Sequence, residues 1–216
     1  MPNFNTPNPI SAVLNVPAGR VRFIAANRVD TVVEILPADA SKGRDVKAAE
    51  QTTVEYGDGV LRIAAPTKSF SGSVEVTVQL PADSQVEATA AATEFRAVGR
   101  LGDVTFEGAY RQIKLDEAAN VRLSATDGDV EIGRLNGPAE ISTQRGDIRI
   151  TEAVRGTVVL RTQAGDISVG AAAGVSACLD AGTSHGRVTN TLKNDGNAEL
   201  DIHATTTQGD IIARSL

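Results

Sequence analysis

The chain has 216 residues, 41% of them hydrophobic but only 3% aromatic, with no Trp, 20 Gly and a formal charge of -6 at pH 7. That is enough chain to bury a substantial core, made from Val, Ile, Leu and Ala, and it suits many short strands joined by glycine turns better than long helices. The acidic balance opposes nucleic acid and anionic lipid as partners, because such binding is driven by Lys and Arg neutralising phosphates.

The opening, MPNFNTPNPISAVLNVPAG, shows no basic stretch followed by an apolar one, and nowhere do eighteen apolar residues run together. Neither an export signal nor membrane insertion is expected, and the expected location is cytoplasmic. One cysteine, Cys178, makes no internal disulfide and agrees with a reducing compartment.

Over residues 1–82, apolar alternation at Leu14 and Val16, Val21 and Phe23, Val32 to Leu36, Leu61 and Ile63, and Val74 to Leu80 predicts strands. Between them, Asp39 to Glu50 is polar with room for a short helix at most, and Pro66 to Gly72 reads as a loop. This region, residues 1–82, is expected to start the same sheet system as a β-rich N-terminal cap with the first, irregular coils, since the ends of a stack of strands must be covered.

From residue 83 to 216 the pattern becomes a repeat of about eighteen residues. Gly-Asp followed by a β-branched residue occurs at Gly128-Asp129-Val130, Gly146-Asp147-Ile148, Gly165-Asp166-Ile167 and Gly209-Asp210-Ile211, with Gly186-Arg187-Val188 as a variant. Counted from each glycine, positions -7, -5, +2 and +4 are apolar: Val121, Leu123, Val130 and Ile132, then Ala139, Ile141, Ile148 and Ile150, then Val158, Leu160, Ile167 and Val169. Leu179, Ala181 and Val188, then Ile202, Ala204 and Ile211, continue the series, and position -3 is always small. Extended backwards, the template gives Val104 and Phe106 leading through Arg111-Gln112 to Ile113 and Leu115. Before them, Val86, Ala88 and Ala90 lead through Thr93-Glu94 to Phe95 and Ala97. Gly102-Asp103 is out of phase and aligns with Gly137 and Gly156 at a second turn. Seven coils follow, with turns near 93, 111, 128, 146, 165, 186 and 209.

Two strands of about four residues cannot bury their apolar side alone, so each coil must be covered by its neighbours. The fold class expected is all-β: a parallel β-solenoid, right-handed by the crossover rule, forming one continuous domain with the cap. The coils are expected to stack in sequence order, leaving Ile211 to Leu216 as an unpaired edge through which a homo-oligomer could form. The repeat glycine supplies a backbone conformation closed to other residues, and the following Asp is expected to bond local N–H groups. Arg122 should neighbour Glu140, and Glu131 should neighbour Arg149.

The segments PISAVLNVPAGRVRFIAA, GSVEVTVQLPADSQVEA, ISTQRGDIRI and VVLRTQAGDISVG resemble those of a bacterial family of "putative adhesins", β-strand-repeat proteins of unknown function. The resemblance spans nearly the whole chain and implies a β-helical fold with no catalytic residues to carry over.

Chemistry-bearing residues are few. The column Asp129, Asp147, Asp166 and Asp210 has strand spacing suited to shared Ca²⁺, but Gln112 and Arg187 interrupt it, and a turn-forming role is the simpler expectation. Asp129 and Asp147 are the natural acid and base of a polysaccharide hydrolase or lyase, yet only Tyr56 and Tyr110 offer tyrosine rings on which a sugar could stack. His185, His203 and Asp201 lack ligand spacing, and Cys178, beside Leu179, reads as a small packed residue. No catalytic, cofactor or metal residue is therefore assigned. The expected function is a non-enzymatic scaffold or interaction module for an unknown protein or glycan, with a carbohydrate-binding or carbohydrate-active protein as the alternative.

Overall fold

The computed structural model describes residues 1–67, 72–110 and 112–216, and of residues 109 and 110 the main chain alone. Arg111 of the expected turn, most of the loop over Pro66 to Gly72 and the Tyr110 ring lie outside the described residues. The fold is all-β and solenoid-like, with two compact units, residues 1–111 and 112–216. Among the described residues no helix is long and apolar enough to cross a membrane.

The first unit contains β1 (Asn3–Asn5), β2 (Ser11–Asn15), β3 (Ala18–Ala26), β4 (Asp30–Pro37), α1 (Gly43–Gln51), β5 (Thr53–Gly57), β6 (Val60–Ala64), β7 (Val74–Pro81), β8 (Gln85–Ala90) and β9 (Ala92–Tyr110). Its strands form two columns. One runs β5, β6, β2, β8 and residues 104–108 of β9; the other runs β1, β4, β7, β3 and residues 92–98 of β9. The coil made by β2 and β3 is thus a parallel rung of the same sheet system, lying between β6–β7 and β8–β9. The capping is done by β5 and β4, which pair antiparallel with β6 and β7, and by α1 beside β4 and β7. Asp45 anchors the helix: it is buried, and its carboxylate accepts the Ser73 N–H at 3.0 Å.

Aromatic rings do matter here. Phe23, Phe95 and Phe106 are buried in a row, with centroids 5.6 and 5.1 Å apart. A purely aliphatic core was the simpler reading of the composition; all five Phe residues of the chain instead fall within this one unit, and three of them make the row.

The second unit contains β10 (Ile113–Asp127), β11 (Val130–Leu135), β12 (Ala139–Arg145), β13 (Ile148–Ala153), β14 (Gly156–Ala164), β15 (Ile167–Ala171), β16 (Ala177–His185), β17 (Val188–Thr191), β18 (Leu200–Gln208) and β19 (Ile211–Ser215). Its inward positions are the predicted ones. Ile148 pairs with Ile167 in parallel register, and both are fully buried. Inward Val, Ile and Leu each contribute roughly 1.5–3 kcal/mol when buried.

The order of the rungs departs from the sequence. The first column runs residues 121–127 of β10, then β12, β14, β18 and β16; the second runs residues 113–118 of β10, then β11, β13, β15, β19 and β17. The last coil, β18–β19, is inserted between β14–β15 and β16–β17. Ile211 to Arg214 is therefore paired on both sides and is not the unpaired edge expected of it. Leu179, Ala181 and Val188, expected to be inward and covered, belong to the outermost rung. Nothing in the unit lies over them, so Leu179 and Ala181 are half-buried and Val188 is 45% exposed.

The first unit shows the same arrangement at its outer rung, where β6–β7 lies outside the earlier coil β2–β3.

Candidate functional site

The turn joining each pair of columns is the most ordered chemical feature of the second unit. Gly165 has φ +154°, and a Cβ there would lie 2.1 Å from the Gly146 carbonyl oxygen of the rung beneath. Glycine is required for both reasons, the backbone angle and the close approach. That same Gly146 oxygen accepts the Thr162 hydroxyl at 3.1 Å; Thr206 likewise donates to Gly165 at 3.0 Å, and Thr183 to Gly209 at 3.0 Å. At Thr162, Thr183 and Thr206 the small residue at position -3 thus ties its rung to the glycine of a neighbouring one, whereas Thr143 donates to the Arg145 carbonyl of its own strand and the first coil has Ala125 there.

The aspartates form a ladder. Asp129 Oδ1 accepts the Asp147 N–H at 2.9 Å, Asp147 accepts that of Asp166 at 2.8 Å, and Asp166 accepts that of Asp210 at 2.7 Å. Asp210 then accepts the Arg187 N–H at 2.9 Å and the Arg187 guanidinium at 2.9 Å. The Arg187 N–H, followed by its side chain, holds the Asp210 carboxyl below the usual carboxylate range. The expectation that each Asp bonds its own turn is corrected: the carboxylate reaches the next rung, because stacked parallel strands bring the equivalent residue within one strand spacing. One oxygen of every carboxylate in the column is directed at an N–H. Among the described residues no group of three or more His, Cys, Asp or Glu is arranged to hold a metal ion.

His185, His203 and Asp201 are not brought together. Asp201 accepts the Cys178 thiol at 2.8 Å, while His203 Nδ1 lies 3.4 Å from Asp180 and His185 stands beside Gln208. The hydrogen bond to Asp201, with burial, pushes the Cys178 thiol up from its ordinary value, the reverse of what activates a cysteine nucleophile. Cys178 points outward, opposite Asp201, and is half-buried rather than packed in the core.

Outward residues line up in rows that run across the rungs. Arg122, Glu140, Val159, His203 and Asp180 form one row, and Ser124, Ser142, Arg161, Thr205 and Gly182 the next. Arg122 and Glu140 pair as expected at 3.9 Å, and Arg161 also reaches Glu140 at 3.5 Å. Glu131 stands in register with Arg149, but its carboxylate is held by Lys114 at 2.9 Å. A shallow groove of about 620 Å³ crosses the second corner, lined by Asn120, Asn136, Pro138, Arg155 and Glu199 among others.

A solved structure of the same fold is similar to the chain over nearly its whole length. A "putative adhesin" from Bacteroides fragilis matches with a TM-score of 0.52 at 14% identity, covering 98% of this chain and 95% of that one. A "putative cell adhesion protein" from Clostridium sporogenes gives 0.41 at 13% identity, covering 100% and 98%. No curated protein matches the sequence. Residues 13–215 match the family model described as Toastrack DUF4097, and the chain belongs to that family.

Proposed function

We propose that the chain is a non-enzymatic interaction scaffold, whose ligand, a protein or a glycan, lies along the outward rows of the second unit. The observation that carries this reading is the pair of rows led by Arg122 and Ser124, fixed in register by main-chain pairing through five rungs. A surface built so rigidly presents polar groups at strand spacing with little ordering cost on binding. The aspartate column supports the same reading, since Asp129 and Asp147 each spend an oxygen on main-chain N–H groups of the next rung. We read the winding of the coils as right-handed, following the crossover rule.

Arg161→Glu and Thr205→Glu, made together, test the proposal against native lysate and a glycan array. Loss of a ligand that the unaltered chain retains is the expected result. Glycan cleavage that disappears with Asp129→Asn or Asp147→Asn would replace the scaffold by an enzyme.

A further inference from the structure

The outermost rung of the second unit is chemically unfinished. β16 pairs with β18, and β17 with β19, each on one side only among the described residues. Alternation along β16 sets the direction of its main-chain groups. Ser176 carbonyl accepts from Leu200 on the inner side, whereas Ala177 N–H donates to Lys193 on the outer side. Leu179, Ala181 and Thr183, in phase with Ala177, therefore turn their N–H and C=O groups outward. Beyond Ala177, whose N–H the 192–199 connection takes up, this edge carries few of the usual blocks: Cys178 to His185 contains no Lys, Arg or Pro and a single acidic residue, Asp180. In the first unit, the outer rung β6–β7 is closed by an antiparallel strand on each column, β5 and β4. The fold's own way of finishing an end is thus two antiparallel strands, one per column.

We propose that a second copy of the chain supplies them, the two copies docking through β16 and β17 about a two-fold axis normal to the columns. Such an axis reverses strand direction, so β16 meets its counterpart antiparallel and β17 meets its own in the same operation. An extended peptide would pair with one column and leave the other bare, together with Val188 and Leu179 between them. A second end of the same width covers both. With Gly182 on the axis, Asp180 faces Ser184 of the second copy, whose hydroxyl can donate to the carboxylate. The two Asp180 carboxylates then stand about 13 Å apart along the strand. This inference is independent of what binds the outward rows.

Light scattering over a wide concentration range tests it, together with hydrogen exchange. A Cβ at Gly182 would meet nothing within 4 Å, so Gly182→Lys keeps the coil while placing two ammonium groups on the axis. The unaltered chain should approach twice its 22.5 kDa mass, with the amides of Leu179, Ala181 and Thr183 protected. Gly182→Lys should raise the concentration at half-dissociation about tenfold or more, with an unchanged melting curve after dilution. Ala181→Pro, which removes one outward N–H, should do the same. A monomeric mass up to millimolar concentration, or a dimer indifferent to Gly182→Lys, overturns the proposal.

Discussion

Asp166 and Asp210 are 44 residues apart in the chain, yet the carboxylate of the first accepts the main-chain N–H of the second at 2.7 Å. This bond skips the whole coil that carries Gly186 and Arg187. It marks the point where the rungs leave sequence order, and it identifies the last coil as a neighbour of the coil containing Asp166.

Cross-linking should read that order directly. Ile212 stands opposite Ser168 on one side and Thr189 on the other. In a Cys178→Ser background, Ser168→Cys with Ile212→Cys should oxidise to a disulfide, as should Thr189→Cys with Ile212→Cys. Ser168→Cys with Thr189→Cys should not, because two rungs span about 9.6 Å, beyond disulfide reach. A disulfide from that last pair alone would restore the sequential order.

Gly165→Val should destabilise far more than Ser168→Val. The first forces a branched side chain to φ +154° and into the Gly146 carbonyl oxygen, with an expected cost of about 3 kcal/mol or more. The second alters an outward side chain, where changes stay within about 0.5 kcal/mol. Equal shifts in thermal unfolding would remove the glycine's steric role.

Acid should weaken the fold in a defined window. Asp39, bonded by the Ser41 hydroxyl and N–H, is lowered to about 2, and Asp83 is lowered by the Arg100 guanidinium that grips it at 2.6 and 2.8 Å. Asp210 is lowered by Arg187. A carboxyl depressed in the folded state stabilises fully above its unfolded value of about 3.9, and that contribution is lost as pH falls toward the folded value. Melting temperature should hold from pH 7 to about 5 and decline between about 4 and 2. Asp83→Asn and Asp210→Asn should each flatten the decline. A melting temperature constant down to pH 2 would contradict the assignment.

Cys178 should alkylate slowly. Its thiol donates to Asp201, which disfavours the thiolate, and the thiolate is the reactive form. Asp201→Ala should speed iodoacetamide labelling at pH 8 several-fold, with circular dichroism unchanged. An unaltered rate would show that access, rather than the Asp201 bond, limits reaction.

Much of this was legible in the sequence. Period-two alternation around each Gly-Asp located the inward residues from Val121 to Val169, because a one-residue slip would have turned every one of them to solvent. The rung order was not, although traces of it are present. Position +4 of the coil after Gly186 is Asn190, a polar residue where Ile132, Ile150 and Val169 stand in other coils, and it lies on the outermost rung. The connections also lengthen from residues 136–138 and 154–155 to 172–176 and 192–199, where the chain must step over a rung and return. In the first unit, Asp58-Gly59 announces the antiparallel hairpin of β5 and β6, both residues having positive φ as a two-residue turn requires. The carboxylate ladder was hidden because its partners are close only after stacking, while sequence patterns report neighbours along one strand.

The tucked last coil also governs how the chain can be made and shortened. During synthesis, residues 177–191 have no rung to pair with until residues 200–215 have emerged, so that part of the sheet assembles in the reverse of the order in which it is translated. Deleting residues 200–215 would not trim one repeat from the edge. It would extract an inner layer and leave the strands on either side of the gap without a shared neighbour.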